Sequence, residues 1–142
     1  LEVSLEGLDA LTVVTDVVDS SANSSANTNG TVVQFGTDAA TIANADLIVM
    51  GNADFADNAA MLTALETAGS NTVTFGADLA DNDAILIAYS DGTDAFIVAA
   101  ASAGASDETS NTIDSLTTVV TLEGITTAGL ANLDSTDFSF IA

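Results

Sequence analysis

The chain has 142 residues, 48% of them apolar, which suffices to fill the core of one ordinary domain. Its 21 Asp and Glu residues face no Lys, Arg or His, giving a net charge of -21. That balance excludes internal side-chain salt bridges and the cationic phosphate contacts of a nucleic-acid binder, and it opposes anionic membranes.

Strand signals dominate: β-branched runs are separated by Gly, Asn, Asp and Ser. The pattern predicts strands near Val3 to Leu5, Leu11 to Val18, Thr31 to Phe35 and Leu47 to Met50. Others follow near Thr72 to Phe75, Ala84 to Tyr89, Ala95 to Ala99, Leu116 to Leu122 and Phe138 to Ile141. Between the first of these, residues 20–30, "SSANSSANTNG", read as a flexible polar loop. That loop carries two Asn-X-Ser/Thr acceptor patterns, at Asn23 and Asn29, a pattern frequent by chance. Residues 57–68, "DNAAMLTALETA", place Met61, Leu62, Leu65 and Ala68 on one face of an amphipathic helix. An Asp or Asn cap opens it and Gly69 closes it.

The strongest local signal is "ILIAYSDGTDAFIVAA", two apolar runs joined through Ser90-Asp91-Gly92-Thr93. Asp-Gly suits the positive φ of a tight hairpin turn. Arms that are apolar at nearly every position predict a central pair, covered on both faces. Two internal echoes also stand out. "VSLEGLDALT" resembles "VTLEGITTAGL", and "TVVQFGTDAATIANADLIVM" resembles "TVTFGADLADNDAILIAY". They suggest a duplicated β unit or equivalent strand-turn environments at the two ends, and if the matching end strands compete for the same sheet position, exchange between neighbouring subunits follows. The expected fold is therefore mainly β, a β-sandwich-like set of antiparallel sheets with one short helix, in a single domain spanning 1–142. No segment approaches the roughly 18 continuous apolar residues of a membrane span. A start at Leu1 is what a processed product or a piece of a longer protein would show.

Without internal cations, the carboxylates must be balanced by backbone N–H groups, hydroxyls, amides, water or a bound cation. Calcium is the fitting ion, because it takes oxygen ligands only. The candidate ligands are Asp91 and Asp94 in the hairpin turn, Asp81 and Asp83 in "ADNDA", and Asp54 and Asp57 before the helix. Asp is equally the ordinary residue of turns and caps, so each has a purely structural alternative. No EF-hand pattern is present.

Catalysis is narrowly constrained. Lacking His, Cys, Lys and Arg, the chain can build no Ser–His pair, thiolate nucleophile, Schiff base or imidazole zinc site. A carboxylate pair is what remains, as in an acid-active hydrolase. The phrases "DGT", "DSS" and "DST" are only partial relatives of an aspartic-protease turn. One Tyr and no Trp leave little for stacking sugars. The expectation is a non-enzyme.

The runs "AILIAYSDGTDAFIVAA" and "SLTTVVTLEGITTAGLANLDSTDFSFIA" resemble the C-terminal region of RTX-like bacterial surface and adhesin proteins exported by type I secretion. In that group an acidic β domain carries an uncleaved C-terminal signal, often an Asp-Phe pair followed by apolar residues. Asp137-Phe138-Ser139-Phe140-Ile141-Ala142 matches that ending, so the resemblance implies that residues 134–142 act as a terminal strand and export signal. It covers roughly residues 84 to 142. The calcium-binding GGxGxD repeat of the group is absent from this sequence, so its calcium sites do not carry over.

These readings lead to an extracellular or bacterial cell-surface structural subunit. It would associate with itself through strand edges or apolar faces, assisted by calcium, as a surface layer or filament. The alternative is a terminal adhesin or export module of a large secreted protein, which recognises rather than polymerises.

Overall fold

A computed structural model of the chain describes residues 2–4, 16–17, 32–35, 40–42, 47–66, 71, 73–75, 83–102, 113–134 and 136–141. The polar stretch 20–30, with Asn23 and Asn29, lies outside these residues, as do Ala68, Gly69 and Asp81. In chain order the strands are β1 (Glu2–Ser4), β2 (Asp16–Val17), β3 (Val32–Gln34), β4 (Ala40–Ile42) and β5 (Leu47–Asp54). Helix α1 (Asn58–Glu66) follows, then β6 (Val73–Phe75), β7 (Asp83–Ser90), β8 (Ala95–Ser102) and β9 (Ile113–Leu122). A four-residue helix α2 (Thr127–Leu130) and β10 (Ser139–Ile141) complete the order.

The chain is mainly strand, and its principal sheet runs β3-β5-β7-β8-β9, with β2 also paired to β7. This sheet is mixed, which corrects the antiparallel expectation. Strands β3, β5 and β7 are parallel, and β7, β8 and β9 antiparallel. The cause is the connection: between β5 and β7 the chain passes through α1 and β6, a crossover long enough to return in the same direction. The other described pairings are two parallel two-stranded pairs, β4 with β6 and β1 with β10. The chain thus alternates, with β3, β5 and β7 in the principal sheet and β4 and β6 in a second one.

The hairpin expectation holds. Strands β7 and β8 pair from Ala84↔Ala101 to Ser90↔Ala95 and occupy the interior of the sheet. Their residues are buried almost throughout because period-2 side chains are covered on each side. On one face Ile48, Met50, Ile85, Ile87, Tyr89 and Val98 meet Met61 and Leu65 of α1, with Phe35 and Phe55. On the other, Leu47, Val49, Leu86 and Ile97 lie among Ala84, Ala88, Ala95, Ala99 and Ala101, and Leu130 of α2 and Phe138 close over them. The alanines keep that second face shallow, which lets a four-residue helix approach it.

Helix α1 begins where predicted. The Asp57 carboxylate Oδ1 accepts the Ala60 N–H at 2.8 Å, the expected cap, and the first helical bond joins the Met61 N–H to the Asp57 carbonyl at 3.0 Å. Met61 and Leu65 point to the core one turn apart, with Leu62 half-buried beside them.

The echoes correspond only partly to structural equivalence. Strands β5 and β7, the matching halves of the longer echo, are parallel neighbours with Leu47↔Leu86 and Ile48↔Ile87 in register. Their matching partners diverge, since β3 joins β5 while β6 joins β4. In the shorter echo, Glu2–Ser4 pairs with β10, whereas residues 120–122 pair with β8.

Replacing Met61, fully buried between helix and sheet, by Ala should lower unfolding free energy by about 2–5 kcal/mol. Urea denaturation followed by circular dichroism would measure it. The same exchange at exposed Thr63 should stay within about 0.5 kcal/mol.

Candidate functional site

The acidic candidates gather most densely at one end of the principal sheet. There β5 finishes on Asp54, paired with Ser90, and the β7–β8 turn lies beside the passage from β9 into α2. The turn is built from its own carboxylate. Asp91 Oδ1 accepts the N–H groups of Thr93 at 2.8 Å and Asp94 at 2.9 Å, while the Asp91 N–H donates to the Asp94 carbonyl at 3.1 Å. Gly92 sits at φ 95°, and its N–H donates to the Ser90 hydroxyl at 2.9 Å. A side chain there would be strained by that φ and would reach 3.3 Å from Asp54 Oδ2.

Neighbouring carboxylates are engaged in the same manner. Asp94 Oδ1 accepts the Gly124 N–H at 2.7 Å, and Gly124 holds φ 75°, so this bond fastens the β9–α2 turn to the hairpin. The Thr127 hydroxyl donates to Asp54 Oδ1, joining the end of β5 to α2. Buried Ser90 donates to the Ile125 carbonyl at 3.3 Å. Further along, Asp134 Oδ1 accepts from the Thr136 N–H at 2.7 Å and hydroxyl at 2.6 Å, and Asp137 Oδ2 accepts the Asp134 N–H at 3.0 Å. This closed turn delivers Phe138 to the core. Within the predicted terminal segment, β10 follows at Ser139–Ile141.

These bonds tune the acids. The backbone N–H groups of Asp94 and then Thr93 hold the Asp91 carboxyl below the usual carboxylate range. The Thr136 hydroxyl, then its N–H, does the same for Asp134. Tyr89 moves the other way, to about 12, through burial first and the nearby charges of Asp57 and Asp91 second. Its hydroxyl donates to Asn58 Oδ1 at 2.6 Å, and its ring meets Phe55 edge-on at 6.2 Å.

Of the six candidate ligands, Asp54, Asp91 and Asp94 come to the same end of the sheet. Asp57 caps α1, Asp83 starts β7 at the other end of that strand, and Asp81 lies outside the described residues. Among the described residues no three acidic side chains stand together as a metal-holding group. The carboxylates at this end organise turns: Asp91 accepts from N–H groups of its own turn, and Asp94 and Asp54 accept from a neighbouring segment.

Two residues that sequence reasoning passed over do as much. Gln34 Nε2 donates to the Leu130 and Leu133 carbonyls, both at 2.9 Å, and ties α2 to β3. Asn58 Nδ2 donates to the Leu116 carbonyl at 3.2 Å and to Thr118 Oγ1 at 3.1 Å, joining α1 to β9. Gln34 is the one Gln of the chain, set between apolar residues, and that isolation was its available signal. Asn58 carried none beyond its place at the helix start. No family model, curated protein or solved structure matches the chain.

Because the folded Asp91 value lies below the unfolded one, its carboxylate contributes stability above the ordinary carboxylate range of about pH 4. That contribution drains away as pH falls through the folded value. The stability difference between the unmodified chain and Asp91→Asn, read from denaturant midpoints, should therefore be largest near about pH 6 and shrink toward about pH 2. Tyr89 has the opposite sign: its protonated form contributes below about pH 10, and the contribution is lost as pH climbs through about 12. Tyr89→Phe should remove this alkaline component and cost about 1–2 kcal/mol at neutral pH by ending the bond to Asn58.

Proposed function

We propose that this protein is a non-catalytic structural subunit that works outside the cell or on a bacterial surface and associates with copies of itself into a layer or filament. The observation that carries the reading is how the carboxylates are used. Asp54, Asp57, Asp91, Asp94 and Asp134 all accept hydrogen bonds that close turns, cap the helix or fasten elements together. Acids spent on architecture suit a molecule whose task is its own shape and surface. Among the described strands, β3 and β9 lie at the two edges of the principal sheet and are natural routes of association.

Net charge sets the conditions. Copies bearing -21 repel one another, and salt or calcium met outside the cell would screen that repulsion and permit assembly. In this reading calcium is the assisting ion and collects at the acidic sheet end around Asp54, Asp91 and Asp94. Export by type I secretion, with residues 134–142 as signal, belongs to the same proposal through the resemblance of the C-terminal phrases. The placement of Phe138 in the core supports a segment that serves twice, unfolded in transit and packed afterwards.

Light scattering in about millimolar calcium and again in chelator tests the reading. Long polymers in calcium that shorten in chelator are expected. A monodisperse monomer in both would favour a terminal adhesin or export module, and polymers indifferent to chelator would remove calcium while leaving assembly.

A further inference from the structure

We propose that the outer edge of β9, from Thr117 to Leu122, pairs antiparallel with the same edge of a second copy. The inference rests on the self-association reading above and names the surface involved. Strand β9 is the last strand of the principal sheet and, among the described strands, pairs only with β8. Thr118 and Thr121 are exposed, while Thr117, Val119, Val120 and Leu122 are half-buried.

The composition of this edge is unusual for a chain so acidic. From Ser115 to Leu122 it carries no charge, and Thr117-Thr118-Val119-Val120-Thr121 is an unbroken β-branched run. Proteins commonly blunt such an edge with Lys, Pro, inward charges or a bulge. Lys and Pro are absent from the chain. The register of β9 against β8 slips at Val119 and again at Asp114, so bulges are the protection present. At the start of the strip, Asn58 already satisfies the Leu116 carbonyl and touches Thr118 Oγ1. Beyond Leu116, Asn58 holds only the Thr118 side chain, and the backbone from Thr117 onward is the stretch proposed to pair.

Charge decides the occupant. A cationic partner would be drawn to the acidic sheet end, because the strip offers it nothing to pair with. A second copy brings a strip equally free of charge, and a two-fold axis between Val119 and Val120 sets Thr118 opposite Thr121 of the partner subunit. In that register Asp114 and Glu123, the acids flanking the strip, remain outside the paired stretch. Strand pairing thus occurs where repulsion between the copies is least, and it strengthens as salt screens the remainder. A two-fold pairing of this kind closes a dimer, leaving growth into a polymer to other surfaces such as the β3 edge.

Sedimentation velocity across protein concentration, at rising salt with and without calcium, tests the proposal. The unmodified chain is compared with T118D/T121D and with a charge-matched control, A59D/A128D, whose sites are exposed on the helices. A third variant, T118V/T121V, loses the Asn58–Thr118 bond without adding charge and should associate like the unmodified chain. Opposed like charges should weaken dimerisation by about tenfold or more in T118D/T121D and leave the control close to the unmodified chain. Circular dichroism and denaturation midpoints confirm that each variant folds. Because the chain contains no Cys, a mixture of T118C and T121C provides a second readout: oxidation should yield a disulfide-linked mixed dimer. A T118D/T121D variant that associates as well as the unmodified chain, or a mixture that fails to cross-link while associating, overturns the β9 assignment and leaves self-association standing. An unmodified chain that remains monomeric in every condition overturns both.

Discussion

The whole structure answers to one constraint: anionic side chains must be accommodated without a single cationic one. Among the described residues the polar ties between elements are therefore made by neutral donors. Backbone N–H groups serve Asp57, Asp91 and Asp94, and hydroxyls serve Asp54 and Asp134. Where a helix C-terminus would ordinarily attract Lys or Arg, amides substitute. Gln34 donates to the carbonyls of Leu130, the last residue of α2, and Leu133, and Asn132 donates to the Ala128 carbonyl at 2.8 Å. These bonds persist at high ionic strength better than exposed ion pairs would, since their geometry depends less on unscreened charge.

That solution divides the labour between the sheet interior and its margins. Cohesion comes from β5, β7 and β8, whose side chains fill a deep face against α1 and a shallow, alanine-lined face against α2 and Phe138. Asp54, Asp91, Asp94 and Asp134 lie at a strand end or in turns, where they accept hydrogen bonds. The run Ser115 to Leu122 of β9 carries no acid, so backbone there can be approached without forcing carboxylates together.

Much of this architecture was legible in the residues. The central hairpin could be read because Asp-Gly between two apolar runs has few other solutions, and α1 because Met61, Leu62 and Leu65 recur at helical spacing behind an Asp cap. Strand direction was not legible, since a short apolar run such as "LIVM" reads the same parallel or antiparallel, and only the crossover through α1 decides. Strand β5 continues to Asp54 although Gly51-Asn52 reads as a break. Gly51 remains because a Cβ there would lie 2.9 Å from Gln34 Oε1 and 3.0 Å from Ala131 Cα. Strand β4 was missed as too short to signal itself. The acids were easy to find and their roles were not: a turn-forming Asp and a metal-ligating Asp look identical until their hydrogen-bond partners are known.

The pairing pattern also imposes an order in time. Ser90 and Ala95 meet across a short turn, whereas Glu2 and Ser139 must meet across almost the entire chain. The second closure costs roughly 3 kcal/mol more in chain entropy than the first. Loop-closure entropy thus favours early contacts among β7, β8 and β9 and late closure of the β1–β10 clasp. Whatever delays that final clasp prolongs the interval in which the terminal strands are open to a neighbour.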